Sequence, residues 1–357
     1  MTRTVGVEEE LLLVDAVTAE PRAVAGAVLA GEPQDVVVAE LQQQQLETNT
    51  SPCSSLDELA AEIVRWRRHA AALAREEGAR VAALATSPLP VAPELTPKGR
   101  YLRMARAFGL TAQEQLTCGC HVHVGVGSDE EGVAVLDRIR PWLAPLLALT
   151  ANSPLWQGQD TGYAGYRHQI WGRWPTTGPQ EVFGSAARYH ATVDSLLATG
   201  TLLDIGMVYF DARLSAAHPT VEVRIADVCQ DAEDAVLLAA LVRGLVETAA
   251  REWADGRPPP EGSAAQLRLA AWRASRSGLG GALVHPLTHR PTAAREVIEA
   301  LVAHVAPAVK DIGDLALVRA GVDRVLARGN GASRQLRTLA SAGPAGVIHE
   351  AVARTVA

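Results

Sequence analysis

Alternation of hydrophobic and polar residues predicts several β-strands, each with one polar face. Side chains two residues apart in a strand point to the same face. Glu8 and Glu10 therefore share a face, as do His121 and His123, and in the last predicted strand Glu222 and Arg224. The strands are predicted over residues 4–14, 35–49, 81–85, 115–127, 203–214 and 220–227.

Apolar residues at helical spacing predict helices over much of the remaining chain. Capping boxes begin two of them, at Ser55 and Ser128, and the second helix is expected to kink at Pro141 and near Pro145. Further helices are predicted over residues 100–109 and 231–256. The turn at residues 256–262 is the best internal boundary, and only helices are expected beyond it, including 263–277 and 292–309.

Strand positions with charged side chains need an explanation, because glutamates are depleted in strands and repel one another there. A bound cation would neutralise Glu8 and Glu10; the alternative is a solvent-facing edge strand protected against aggregation. His121 and His123 either bind a metal or only hydrogen-bond within a half-polar sheet. Glu222 and Arg224 alone would fit a surface salt bridge.

Residues 152–175, NSPLWQGQDTGYAGYRHQIWGRWP, combine aromatic residues, glycines and arginines. Such a mixture supplies rigid walls, close backbone approach and forked donors for carboxylate or phosphate, which is typical of a binding loop. A second glycine- and arginine-containing stretch, RGNGASRQ at residues 328–335, is either a phosphate-facing loop or a simple break between helices.

The candidate metal ligands form an oxygen-rich set of the type that suits Mg²⁺ or Mn²⁺. They are Glu8, Glu10, Glu40, Glu47, His121 and Glu222. Zinc is the alternative, since CGCHVH offers Cys118, Cys120, His121 and His123.

Composition limits the partners. The 33 basic and 40 acidic residues give a net charge of −7 without a long basic run, which argues against nucleic acid as a partner. MTRTVGVEEE carries acidic residues where a signal peptide would be apolar, and no long uncharged apolar stretch exists. Four cysteines make no CxxC pair. We therefore expect a cytoplasmic protein that acts on small molecules away from membranes, with a homodimer left open.

Several stretches, in this order, resemble the type 2 glutamate–cysteine ligase family, also called carboxylate–amine ligases, which is similar in fold to glutamine synthetase. The resemblance covers nearly the whole chain. It rests on VGVEEELLLVD, CGCHVHVGV, the 152–175 block, TVEVRIADV and RGNGASRQ.

This resemblance implies an α+β fold, in which helices flank an antiparallel sheet whose concave face holds two or three Mg²⁺ ions between ATP and an amino acid. Residues 1–357 would form one catalytic domain, with a sheet-bearing core at 1–255 and a helical part at 256–357 packed on it. It places Glu8, Glu10, Glu40, Glu47, His121 and Glu222 at the metals. It implies substrate contacts for Arg167, Arg173, His123 and Tyr166, ATP contacts for Arg224 and Arg334, and catalytic roles for Arg224 and Arg167.

The reaction implied is ATP-dependent formation of a γ-glutamyl amide from glutamate and cysteine through an acyl phosphate, with ADP as a product. The absence of GxSxG and of a Walker loop agrees with this chemistry. Three alternatives stay open: a ligase of the same fold with another acid or amine, a zinc-dependent hydrolase, and a binding protein without activity.

Overall fold

A seven-stranded antiparallel sheet carries the polar strand positions. The computed structural model describes residues 2–33 and 36–357. The strands of this sheet are β1 (Val5–Asp15), β2 (Val37–Ala39), β3 (Gln45–Asn49), β4 (Ala79–Ala82), β5 (Gly119–Gly125), β8 (Ala212–Leu214) and β9 (Thr220–Asp227), and two small hairpins add β6 (Leu155–Trp156), β7 (Gln159–Asp160), β10 (Ala282–Val284) and β11 (Pro291–Ala293). The order is β2-β3-β1-β5-β9-β8, and β4 pairs with the second half of β1.

Helices cover the face of the sheet opposite the glutamate pair, where α2 and α9 contact β1, and α9 also contacts β5. The helices are α1 (Ala25–Val28), α2 (Leu56–Glu76), α3 (Gly99–Phe108), α4 (Leu110–Gln113), α5 (Asp129–Ile139), α6 (Leu143–Thr150), α7 (Tyr166–Trp171), α8 (Ala186–Ala198), α9 (Ala232–Ala254), α10 (Ala264–Ser277), α11 (Ala294–Asp311), α12 (Leu315–Arg328) and α13 (Gly331–Thr355). The C-terminal helices pack against earlier ones: α11 and α12 against α9, and α10 against α6.

Strand β1 shows why its three glutamates belong to different environments. Glu9 points to the helical side, where Arg67 of α2 binds both of its carboxylate oxygens at 2.6 and 2.8 Å, and both residues are almost completely buried. Arg67 also donates to the carbonyls of Cys229 and Gln230. Glu8 and Glu10 point to the other face, as the two-residue period predicts.

The single strand predicted over residues 35–49 is wrong: two short strands, β2 and β3, pair with a turn between them, while Asp35 lies outside the described residues. The turn contains Gln42 and Gln44, which are buried and donate to the carbonyls of Ala112 and Ala92. The side-chain amides thus find acceptors in neighbouring loops, which lets a polar run enter the interior.

Three other predictions need correction. Residues 203–214 are not one strand: a short 3-10 helix spans Ile205–Met207, and only β8 is a strand. Arg213 donates to the carbonyls of Gly206 and Val208, which holds the segment folded back. The region after residue 262 is not only helical, since β10 and β11 form a hairpin. The 152–175 block is not a single loop either: it contains α7 and the tight hairpin β6–β7, whose turn residues Gln157 and Gly158 both have positive φ.

Candidate active site

Three carboxylates form the first acidic cluster. Glu10 of β1 lies directly opposite Glu47 of β3. Glu40 precedes the turn between β2 and β3, and one oxygen from each of the three residues lies within 4.8 Å of the others. Burial and the charge of Glu40 raise the pKa of Glu10 to about 7, and burial and Glu40 also hold the pKa of Glu47 well above its ordinary value. Such an arrangement is unfavourable without a cation.

Glu8, His121 and Glu222 form the second cluster, from three adjacent strands of the sheet. Glu8 pairs with His121 across β1 and β5, and its carboxylate lies 3.2 Å from Nδ1 of that imidazole. A register shift between Cys120 and Val122 interrupts the pairing of β5 with β9. The ligand atoms of the three residues again lie within 4.8 Å of one another.

The two histidines differ in their environments. Burial and the charge of Arg224 lower the pKa of His121 to about 4, so the ring is neutral, which is the form that binds metals. Its Nε2 atom is buried and has no hydrogen-bond partner among the described residues. His123 hydrogen-bonds Thr220 and lies 3.1 Å from Glu8; although burial opposes it, the contact with Glu8 raises the pKa of His123.

Two arginines hold the carboxylate of Glu222. Arg213 binds it at 2.7 Å, and Arg224 binds it from two residues along β9. Burial raises the pKa of Glu222, but the charges of Arg224 and Arg213 outweigh it and bring the pKa to about 2. These two arginines therefore make the surroundings of the second cluster more positive than those of the first.

The first cluster, together with Glu8 and His121 of the second, lines one cavity of about 310 Å³. Its opposite wall is aromatic and comes from α3, α7 and the 203–214 segment. Besides Glu8, Glu10, Glu40, Glu47, His121, Arg213 and Arg224, the lining residues are Leu41, Gln45, Arg100, Tyr101, Met104, Gln115, Thr117, Trp171, Trp174, Gly206 and Tyr209.

A larger cavity of about 860 Å³ begins on the other side of Glu8, which lines both spaces. Its wall includes His123, His218 and the backbone of Gly6, Gly125 and Gly127. Glu8 of the second cluster thus lies at the boundary between the two cavities.

Only some of the residues predicted to contact substrate or ATP lie at the cavities. Arg224 lines the smaller cavity, and Arg167 lies directly behind its wall, with its guanidinium 5.7 Å from the ring centre of Trp171. Arg173, Tyr166 and Arg334 line neither cavity. Arg173 binds Glu114 at 2.6 Å, while Arg334 binds Asp231 and Gln230. The 328–335 stretch is a helix break, since the side chain of Asn330 caps α13.

Sequence patterns missed the cavity residues that α3 contributes. Arg100, Tyr101 and Met104 reach the cavity from one side of α3, and Arg100 binds Asp204 through two contacts of 2.7 and 2.8 Å. The sequence predicted a helix here, but nothing in it connected this helix to the sheet.

The zinc alternative lacks a suitable ligand set. The groups of three or more potential ligands found among residues 2–33 and 36–357 are the two acidic clusters, and neither contains a cysteine. Burial raises the pKa of the Cys118 and Cys120 thiols well above its ordinary value, which opposes the thiolate form that zinc requires. Within the same residues, no helix is long and apolar enough to cross a membrane.

The fold is shared with a solved ligase. The structure of glutamate–cysteine ligase from Francisella tularensis in complex with AMP superimposes with a TM-score of 0.71 at 13% identity, over 99% of this chain and 88% of that one. The predicted α+β fold of glutamine synthetase-like type, with its antiparallel sheet and helical C-terminal part, is thereby confirmed. This likeness at 13% identity establishes the fold of the chain, and its sequence establishes the family.

The sequence model of glutamate-cysteine ligase family 2 matches residues 4–357, and the chain belongs to that family. A provisionally named glutamate–cysteine ligase 2-1 from Streptomyces avermitilis is 57% identical over 346 residues, which cover 96% of each chain. A Streptomyces coelicolor relative with a similar provisional name is also 57% identical, over 96% of this chain and 95% of its own. The predicted family is confirmed, and the protein is an ATP-dependent ligase of the glutamate–cysteine type.

Proposed function

We propose that the protein uses ATP to activate the γ-carboxylate of glutamate and joins it to the amine of cysteine. The observation that carries this proposal is the position of the two clusters. They lie side by side on one face of the sheet, at the point where a small acidic and aromatic cavity meets a larger one. Phosphoryl transfer between two substrates needs such a meeting point.

The donor sets fit divalent cations. Glu10, Glu40 and Glu47 offer only oxygen, which suits Mg²⁺ or Mn²⁺. The unpartnered Nε2 of His121 in the second cluster is a buried polar atom that a metal would satisfy. When bound, the metals would neutralise phosphate oxygens and so favour transfer.

We assign ATP to the larger cavity and the amino acids to the smaller one. The larger space has about 860 Å³, and glycines in its wall allow a nucleotide to approach the backbone closely. The smaller cavity has about 310 Å³, enough for a compact amino acid. His123 lines the larger cavity, so we propose that it contacts the phosphates of ATP and not the amino acid.

In the reaction we propose, a γ-carboxylate oxygen of glutamate attacks the γ-phosphorus of ATP, and ADP leaves. The amine then attacks the acyl carbon and loses a proton, the bond to the phosphate oxygen breaks, and inorganic phosphate leaves. Arg224 lies at the cavity wall, where it can stabilise charge on the transferred group. Arg167 adds positive charge behind that wall.

Phosphate release from ATP with Mg²⁺, glutamate and a panel of amines tests this function. We expect turnover with glutamate and the highest kcat/KM with cysteine. A higher value with another amine would keep the ligase and replace its second substrate. A lack of turnover with every acid and amine pair would contradict the proposal.

Arg100 is the residue we propose as a carboxylate anchor in place of Arg173. It lies in the cavity wall, and its partner Asp204 is partly exposed, so a substrate can compete for the guanidinium. We expect Arg100→Ala to raise the KM of one amino-acid substrate about 10- to 100-fold, the cost of a charge-assisted hydrogen bond, and to leave the KM of ATP unchanged. Steady-state kinetics measure this.

Arg106→Ala, on an exposed position of the same helix, is the control and should match the unmodified enzyme. Comparing glutamate with 4-aminobutyrate, and cysteine with cysteamine, shows which carboxylate Arg100 binds. If Arg100→Ala keeps the same preference for glutamate over 4-aminobutyrate and for cysteine over cysteamine, the anchor lies elsewhere.

A further inference from the structure

The guanidinium of Arg167 lies against β5 at Gly119, the one residue of CGCH that has no side chain, and its Nη2 atom is the nearest to this position. A Cβ atom on Gly119 would lie 2.8 Å from Cζ and 3.2 Å from Nε of Arg167, closer than non-bonded atoms approach. Gly119 has no positive φ that would require glycine. The absence of a side chain at this position therefore matches the space that Arg167 occupies.

Asp227 supplies the charge on the other side of Arg167. It is fully buried, and its Oδ2 atom accepts from the backbone of Asn152 and the hydroxyl of Ser153. Its Oδ1 atom has no hydrogen-bond partner within residues 2–33 and 36–357 and lies 4.0 Å from Nη1 of Arg167, beyond hydrogen-bonding distance. The hydroxyl of Ser153 also accepts from the backbone of Arg167, so the carboxylate and the arginine are linked at both ends.

The side chain of Arg167 has a hydrogen-bond donor that is not used by any described residue. It is only 2% exposed, and its Nε atom is buried without a partner in the part of the chain that the structure describes. Trp171, in the cavity wall, has the guanidinium carbons of Arg167 and Arg224 at 5.7 and 5.9 Å from its ring centre. A buried guanidinium whose donors are unused is costly unless a ligand completes it.

We propose that Gly119 and Asp227 are positioning residues that hold Arg167 against the cavity wall for the negative charge of the substrate. Asp227 fixes the guanidinium by charge while leaving Nε unused, and Gly119 provides the surface on which it lies. This inference rests on the proposed function. The backbone N–H of Gly119 also donates to Glu10 at 2.5 Å, so the same residue adjoins the first acidic cluster.

A double-mutant cycle with Gly119→Ala and Arg167→Ala tests the inference. The added methyl group meets the mobile end of a side chain, so we expect Gly119→Ala to fold and to displace the guanidinium. Displacement of about 1 Å can cost up to about 100-fold in rate, so kcat/KM for glutamate should fall about 10- to 100-fold, with the KM of ATP unchanged. The double variant should be no worse than Arg167→Ala.

Asp227→Asn, which removes the charge and keeps the shape, should give a smaller loss in the same direction. Val122→Ala is the control for packing: it removes buried volume from the same strand and should lower thermal stability without changing the KM of glutamate. The inference would be overturned if Gly119→Ala had the same kinetics as the unmodified protein. It would also be overturned if the losses from Gly119→Ala and Arg167→Ala added fully in the double variant.

Failure of the proposed function would look different. If the unmodified protein turns over no acid and amine pair, calorimetric binding of glutamate decides the matter. Weaker binding in Gly119→Ala and Arg167→Ala, to the same extent, supports the positioning role. Equal affinity in the unmodified protein and Gly119→Ala overturns it.

Discussion

We expect Glu47→Gln to raise the melting temperature of the metal-free protein and at the same time to remove most of its ligase activity. Glu47 lies opposite Glu10, with Glu40 beside both, and burial together with the charges of these neighbouring carboxylates raises the pKa of Glu47. Replacing one carboxylate by a neutral group of the same shape relieves repulsion between buried like charges. The same change removes a proposed metal ligand, which should lower kcat at least about 100-fold.

Melting curves with and without Mg²⁺ or Mn²⁺, together with phosphate release, measure both effects. A cation that binds only the folded state should stabilise the unmodified protein more than the variant. Glu76→Gln, on an exposed position of α2, is the control and should change neither property. A variant that melts at lower temperature with and without metal would show that Glu47 is structural instead.

The acidic and imidazole side of the site could be predicted from the sequence because its residues occur on regular strands. A two-residue period fixes which side chains share a face, so Glu8 could be grouped with Glu10, and His121 with His123, before the fold was known. The resemblance to the ligase family then implied that both pairs face one site. Pairing of β1 with β3 and β5 then brings these residues next to Glu47 and to one another.

The aromatic side could not be predicted in the same way, since its residues lie on segments without a common period. Arg100 comes from α3, and Tyr209 comes from an irregular segment that was expected to be a strand. Only tertiary contacts, such as the pairing of Arg100 with Asp204, bring these segments together. For Arg173 and Arg334 the sequence predicts ligand contacts, whereas the structure places each in an ion pair, which an arginine in a glycine-containing stretch can equally serve.

We expect Arg67→Met to lower the free energy of unfolding by about 3–5 kcal/mol, the largest stability effect of any change considered for this protein. Arg67 is fully buried, and its removal would leave Glu9 charged or protonated in the interior, without the contacts of 2.6 and 2.8 Å that satisfy it. The carbonyls of Cys229 and Gln230 would lose their donors as well. Urea unfolding at neutral pH measures the change.

The double variant Glu9→Gln, Arg67→Met separates charge from packing. Because a buried pair contributes little net stability when both partners can be replaced together, the double variant should recover part of the loss. Arg65→Met is the control, since its ion pair with Glu62 is exposed on the arginine side and should contribute less than about 1 kcal/mol. An equal loss in the single and double variants would mean that Arg67 stabilises the protein through its carbonyl contacts and its volume. The glutamate between two proposed metal ligands would then have no part in fixing β1 against α2.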